Sequence, residues 1–149
     1  MTRMLGYMLT WTTYGTWLQG DERGYVKQGR THTGNVALRA ANQQRQKYPT
    51  VHLSQAQRCL VHQAIELEAA VRRQSLLALT VQRDHIHLVA ETNETAISKM
   101  VAYYKNAGRM ALRQNGIVGK IWTKGYDKRF CFDSKSLQNR IDYVRRHNK

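Results

Sequence analysis

The sequence predicts a single α+β domain over residues 1–149, with an antiparallel sheet, helices on one face and a final helix. The length suits one domain with a core of ordinary size. Apolar residues recur at strand spacing and helix spacing in the order β-α-β-β-α-β, and one more helix follows. Capping and turn residues separate these segments, and no repeat or linker divides the chain.

The first strand is expected over Met4–Tyr14, which is rich in aromatic and β-branched residues. A turn-rich loop follows over 15–24. Residues 25–50 are basic and polar, and they form either a short helix near Val36–Gln46 or a mobile basic loop.

A capping-box pattern at Ser54 and Gln57 starts the first helix, which continues to about Arg73. Two strands come next, over Leu76–Val81 and His85–Ala90, and a tight connection joins them. The expected core stripe of the first helix consists of Leu60, Ala64, Leu67 and Val71.

The second long helix ends before Gly116, which suits the position after a helix. Its apolar side carries Ile97, Val101, Tyr104, Gly108 and Ala111 or Leu112. Strand segments are expected at Ile121–Tyr126 and Lys128–Phe132. A last helix over Lys135–His147 is capped by Asp133 or Ser134, and its core stripe is Leu137, Ile141 and Val144. This order of elements predicts a ferredoxin-like sheet covered by helices on one face.

Composition indicates a polyanionic partner. The net charge is +14, from 24 Lys and Arg against 10 Asp and Glu. The charge is spread along the chain and no apolar run approaches the roughly 20 residues of a membrane span, so a membrane role is not expected. The two cysteines, Cys59 and Cys131, are typical of buried thiols in a reducing compartment. With no signal peptide at the amino end, the expected location is the cytoplasm.

The run His85-Ile86-His87 is the most informative motif. Successive side chains of a strand point to opposite faces, so the two imidazoles lie side by side on one face. Such a pair can share one metal ion. The alternative is that both are surface histidines on a half-buried strand.

The last helix supplies the other reactive side chains. Tyr143 and His147 are four residues apart and therefore lie on one helix face, beside the core residue Val144. If this face meets the histidine face of the sheet, three imidazoles and a phenol converge. A divalent ion held by imidazoles can polarise a phosphate, and an activated phenol can attack phosphorus. Alternatively, Tyr143 is an ordinary half-buried tyrosine and His147 a frayed terminal residue.

These residues resemble the HUH single-tyrosine transposases, and most closely the REP-associated tyrosine transposases and their IS200-like relatives. In that family a His-hydrophobic-His strand is followed by a helix bearing the tyrosine, and Tyr143 lies 58 residues after His85 here. The run 142–147 is similar to the family's signature helix, and the runs 9–18 and 122–127 also look familial. The resemblance covers nearly the whole chain.

The resemblance implies that His85 and His87 are metal ligands, that Tyr143 is the nucleophile and that the cofactor is Mg²⁺ or Mn²⁺. The family's third ligand is usually Gln or Asn four residues after the tyrosine, where this chain has His147. Three nitrogen ligands favour Mn²⁺. Asn148 is one residue out of phase for this role. Family members often have Pro-Asn or Pro-Asp before the first histidine, whereas this chain has Arg83-Asp84; Asp84 either orients a histidine or serves the turn.

Other tyrosines and the basic residues complete the expectations. Tyr104 falls on a core stripe, and Tyr103 has Ala107 four residues on, so both rank below Tyr143 as nucleophile. Trp17 and Trp122 can stack on unpaired bases or serve the core. The expected DNA-binding set is Lys105, Arg109, Arg113, Lys120, Lys124, Lys128, Arg129, Arg145, Arg146 and Trp122.

The resemblance implies a transposase that cuts and rejoins single-stranded, hairpin-associated DNA through a 5′-phosphotyrosine, acting as a monomer or homodimer. The leading alternative is a catalytically silent, domesticated protein that binds nucleic acid on the same scaffold. A third option is an RNA-binding protein, since ferredoxin-like sheets with exposed aromatics also bind single-stranded RNA. The histidines of the third strand argue against that option.

Overall fold

The computed structural model describes residues 3–16, 25–27, 30–32 and 48–147, with the backbone alone for 25–27 and 30–32. The strands are β1 Gly6–Thr12, β2 Tyr25–Lys27, β3 Arg30–His32, β4 Leu76–Val81, β5 His85–Glu91 and β6 Asp127–Cys131. The helices are α1 Gln55–Val71, α2 Ile97–Gln114 and α3 Ser134–His147. The possible helix near Val36–Gln46 and the loop residue Trp17 lie outside the described residues.

The main sheet has the order β4-β5-β1-β6, and each neighbouring pair is antiparallel. Together with the order of helices, this is the ferredoxin-like arrangement, so the prediction of fold class is confirmed. Strands β2 and β3 pair with each other as a separate two-stranded sheet that the sequence had not indicated. No helix within the described ranges is long and apolar enough to cross a membrane.

Both faces of the main sheet are covered. Strands β1 and β5 alternate between the faces, so Leu9 and Leu88 join the larger core with α1 and α2. Met8 and Val89 point to the opposite face, where they pack against α3. The last helix therefore lies on the face that also carries His85 and His87.

Helix boundaries follow the capping residues. The capping box of Ser54 and Gln57 is formed, with both reciprocal hydrogen bonds present. Gly116 has a φ of +88° just after α2, as predicted for a residue beyond a helix end. The Asp133 carboxylate accepts a hydrogen bond from the Ser136 backbone N–H at 2.7 Å, which makes Asp133 the cap of α3.

Two expectations were wrong. The buried stripe of α1 is Val61, Ile65 and Ala69, whereas Leu67 and Val71 are 69% and 72% exposed. The helix presents two apolar stripes one residue apart, and the β-branched one packs against α2. The segment 121–126 is not a strand, because only Trp122 bridges to Thr13 before the chain leaves the sheet and rejoins it at Asp127.

Candidate active site

Strand β5 places His85 and His87 side by side. Their ring centroids are 4.8 Å apart, and the residue between them, Ile86, points into the core on the other face. His87 is only 8% exposed, because β5 is an inner strand and α3 covers it, whereas His85 at the strand's end is half-buried. The predicted shared face of the two imidazoles is therefore present.

Helix α3 brings Tyr143 and His147 to the same place. Ile141 and Val144 anchor the helix in the small core of that face. The ring centroid of His87 lies 5.4 Å from that of Tyr143 and 5.5 Å from that of His147. The rings of Tyr143 and His147 are 4.4 Å apart. Three imidazoles and one phenol thus form a single cluster, as expected if α3 docked on the histidine face.

Hydrogen bonds at Nδ1 orient all three imidazoles. Nδ1 of His85 lies 2.7 Å from the Asp84 carboxylate, and Nδ1 of His147 lies 2.8 Å from the Tyr143 carbonyl oxygen. A carboxylate and a carbonyl only accept, so Nδ1 is the donor in both rings and Nε2 is the nitrogen left to ligate. Nδ1 of His87 lies 2.8 Å from Oγ1 of Thr10. Histidines that ligate a metal through one nitrogen show this pattern at the other.

His87 is held in its neutral form. Burial, with smaller contributions from the neighbouring rings of His85 and His147, lowers its pKa to about 4. A neutral imidazole has a lone pair at neutral pH, which is the state a metal ligand requires.

Two supporting residues were missed from the sequence. The Gln82 side-chain amide donates hydrogen bonds to Oγ1 of Thr80, at 2.6 Å, and to the backbone carbonyl of His147. Gln82 therefore ties the end of α3 to the sheet. The Thr10 hydroxyl meets His87 because Thr10 is its direct partner across β1 and β5. Both contacts depend on tertiary register, and no local sequence signal indicates them.

The cluster has the donors of a metal site but not yet its geometry. Within the described residues, no group of three His, Cys, Asp or Glu side chains is arranged so that it could hold a metal ion. The exposed ring of His147, at the last helical turn, is turned toward its own helix by the bond to the Tyr143 carbonyl. The nitrogen donors of His85, His87 and His147 fit a divalent metal chemically, but the rings would have to shift before all three could share one ion.

The rival tyrosines lie elsewhere. Tyr104 is fully buried, and its hydroxyl donates to the side chain of Gln74. Tyr103 packs against the larger core, and the Arg72 guanidinium lies 3.6 Å from its ring centroid. Both belong to the α1 and α2 side of the sheet, away from His85 and His87.

The proposed DNA-binding residues divide by exposure. Those fully exposed are Arg113, Lys120, Lys124, Lys128, Arg129, Arg145 and Arg146. Arg109 is half-buried and, with Arg113 and residues 117–119, lines a cleft of about 230 Å³. Lys105 is half-buried and donates to the carbonyls of Thr123 at 3.0 Å and Gly125 at 2.7 Å. Burial lowers the pKa of Lys105. The Lys105 side chain is therefore held by the loop before β6, which makes it less available to bind a phosphate.

Trp122 is a core residue, so the expectation that it stacks on bases is not supported. It is 7% exposed, its Nε1 donates to the Lys105 carbonyl at 2.8 Å, and its ring packs edge-on against Trp11. A base cannot reach its ring face without displacing these contacts.

Two further clefts contain none of the clustered histidines. A cleft of about 180 Å³ opens where the segment 123–126 leaves the sheet beside Thr10 and Trp11. A larger cleft of about 570 Å³ lies along α1, and Cys59, His62 and Glu66 are among its lining residues. The larger cleft contains none of the clustered histidines, so size alone does not identify the site; the convergence of side chains does.

The comparison with protein families decides the classification. The model of the IS200-like transposase family matches residues 40–147, which include the histidine pair and the helix with the tyrosine. The chain belongs to the IS200-like transposase family. The resemblance found in the sequence is therefore confirmed.

A solved structure with a TM-score above 0.5 agrees with this fold. The structure of a REP-associated tyrosine transposase bound to a REP hairpin matches with a TM-score of 0.56 and 14% identity, over 97% of this chain and 67% of that chain. A candidate transposase from Deinococcus radiodurans R1 gives a TM-score of 0.48 and 16% identity, over 99% and 94% of the two chains. No curated protein sequence matches. At these identities the structural likeness establishes the fold alone.

Proposed function

We propose that this chain is a metal-dependent enzyme that cleaves and rejoins single-stranded DNA through a 5′-phosphotyrosine. The observation that carries the proposal is the convergence of Tyr143, His87 and His147 on one face of the sheet. The net charge of +14 suits DNA, and the similar REP-associated transposase is bound to a REP hairpin, so the substrate we infer is hairpin-associated.

The residues have distinct roles in this proposal. His85, His87 and, after reorienting, His147 hold Mg²⁺ or Mn²⁺, which when bound withdraws charge from the scissile phosphate. The Tyr143 hydroxyl oxygen attacks phosphorus as its proton leaves to solvent. The bond from phosphorus to the 3′-oxygen breaks, and that oxygen takes up a proton. The products are a 5′-phosphotyrosine and a free 3′-hydroxyl, which can later attack the same phosphorus and restore a DNA strand.

A cleavage assay with end-labelled single-stranded hairpin DNA and Mn²⁺ tests the proposal. We expect wild type to yield cut DNA and a covalent protein–DNA adduct on a denaturing gel, and Tyr143→Phe to yield neither. Tyr103→Phe is the matched control, because it removes a half-buried phenol on the other face and should cut normally. If Tyr143→Phe cuts as well as wild type, the nucleophile is wrongly assigned.

One observation favours a second candidate function, binding without cleavage. The three imidazoles are not arranged as a metal site, and His147 stands where the family usually has an amide. If the chain is a silent, domesticated binding protein, it should bind the hairpin without metal and Tyr143→Phe should bind it equally well. Wild type should then form no covalent adduct. A stronger affinity for the matched RNA hairpin at fixed salt would indicate an RNA partner.

A further inference from the structure

Strand β6 and the residue just after it expose two aromatic rings at the edge of the main sheet. Phe130 is 46% exposed and Phe132 47%, and their ring centroids are 6.3 Å apart. Leu5, at 38% exposed, lies beside them, since its backbone N–H donates to the Cys131 carbonyl at 2.8 Å. We call Leu5, Phe130 and Phe132 the edge patch. Neighbouring exposed apolar side chains of this kind are typical of interaction sites.

Charge around the edge patch indicates what covers it. The Lys128 ammonium lies 5.7 Å from the ring centroid of Phe130, and Arg129 is also exposed on the same strand. Exposed aromatic rings with adjacent cations are how proteins hold unpaired bases, because the rings stack while the cations contact phosphates. Arg129 is paired with Asp127 at 3.1 Å, but a purely apolar protein partner would bury the Lys128 ammonium without a counter-charge. The combination therefore favours a single-stranded nucleic acid.

The patch lies within reach of the candidate active site. Phe130 pairs with Tyr7, and three residues further along β1 Thr10 pairs with His87. Two strand spacings of about 4.8 Å and three residue steps of about 3.4 Å separate Phe130 from His87 by roughly 14 Å between Cα atoms. This straight-line distance equals about four nucleotides at the roughly 3.4 Å rise of stacked bases, and a path around the sheet edge is longer. Phe130 and His87 face opposite sides of the main sheet, so the bound DNA must pass around β6, which lies at the edge of that sheet.

We propose that the edge patch binds unpaired bases of the DNA strand that flanks the cleavage position. Phe130 and Phe132 stack on bases, and Lys128 contacts the adjoining phosphate. The choice of DNA as the polymer rests on the proposed function, while the stacking itself is independent of Tyr143 and of metal.

Fluorescence anisotropy with a labelled single-stranded oligonucleotide, in EDTA to prevent cleavage, measures this binding. We expect Phe130→Ala/Phe132→Ala to weaken the affinity about tenfold or more. Leu67→Ala/Val71→Ala is the matched control, because it removes two exposed apolar side chains on α1 and should bind like wild type. Equal affinity of the patch variant and wild type, or an equal loss in the control, overturns the proposal.

An oligonucleotide with single abasic positions isolates stacking. At one or two positions, removing the base should weaken DNA binding by wild type about as much as Phe130→Ala/Phe132→Ala weakens it. Combining that abasic position with the double substitution should cause no further loss of affinity. A loss of the same size on every abasic oligonucleotide contradicts stacking. So does a change of oligomeric state in sedimentation with unchanged DNA affinity, which makes the patch an interface between copies.

A variant that keeps the ring guards against misfolding. Phe130→Trp should retain wild-type affinity, and its emission should be quenched by single strands but not by the matched duplex; no quenching overturns the proposal. Because Tyr143→Phe should bind with wild-type affinity here, loss of cleavage and loss of stacking are separate results. The proposed function can thus fail while this inference stands, and the reverse.

Discussion

The hydrogen bond between Thr10 and His87 offers a direct test of the proposed metal site. Its atoms are 2.8 Å apart, and the imidazole is 8% exposed. Thr10→Val replaces the hydroxyl by a methyl of similar size and keeps the β-branched shape that suits a strand. The change therefore removes one polar partner and little else.

The expected magnitude follows from the burial of His87. Leaving a buried polar group without its partner costs about 1–3 kcal/mol. Loss of a partner that orients a ligating histidine lowers metal affinity about 10–100-fold. At about 1.4 kcal/mol for each factor of ten, the two ranges agree. We expect Thr10→Val to weaken Mn²⁺ binding by this factor and to lower the free energy of unfolding in the metal-free state by about 1–3 kcal/mol.

Titration with Mn²⁺, with free ion counted by electron paramagnetic resonance, measures the affinity, and urea unfolding measures stability. Thr12→Val is the matched control, because Thr12 lies on the same strand and face and pairs with His85, whose Nδ1 is bonded to Asp84 instead. If Thr10→Val binds Mn²⁺ as tightly as wild type, Thr10 does not orient a metal ligand and the reasoning fails.

Three further predictions concern stability. Tyr104→Phe leaves the Gln74 side-chain oxygen without its donor and should lower the free energy of unfolding by about 1–3 kcal/mol in urea. Burial raises the pKa of Tyr104 in the folded state, so the unfolded chain loses this proton at a lower pH than the folded chain does. The free energy of unfolding should therefore fall as pH rises past about 10. If it falls no more steeply for wild type than for Tyr104→Phe, this prediction is wrong. Gly6→Ala should destabilise by about 1–3 kcal/mol, because a Cβ at Gly6 would lie 2.5 Å from the Ala90 carbonyl oxygen. An unchanged melting temperature in calorimetry would show that the sheet yields there at no cost.

The candidate site could be located from local sequence because its geometry is largely periodic. Alternation along β5 puts His85 and His87 on one face, and the four-residue step in α3 puts Tyr143 beside His147. The docking of α3 on that face could only be stated conditionally. This docking depends on the packing of Ile141 and Val144 against Met8 and Val89, which lie far from them in the sequence.

Other features needed tertiary information. In α1, two apolar stripes differ by one residue, about 100° around the helix, and only packing against α2 selects Val61 and Ile65 over Leu67. For Trp122 the sequence left base stacking and a core role both open, because nothing local shows that Trp11 and the Lys105 carbonyl enclose it. Conversely, the sequence indicated only that Phe130 lies in a strand. The structure places that strand, β6, at the edge of the sheet, where the Phe130 ring is exposed.

The two cores differ in size, so the proposed site can come apart while the rest of the domain stays folded. Helix α3 is held by a small cluster in which Met8, Val89, Ile141 and Val144 are buried, whereas the sheet and the other helices share a much larger core. Cooperative units with fewer buried contacts open at lower free energy. Amides of α3 should therefore exchange with solvent before those of β1 and β5. A chain that has released α3 keeps His85 and His87 on a folded sheet but has lost the proposed nucleophile, Tyr143, so assembly of the proposed site is an equilibrium of its own.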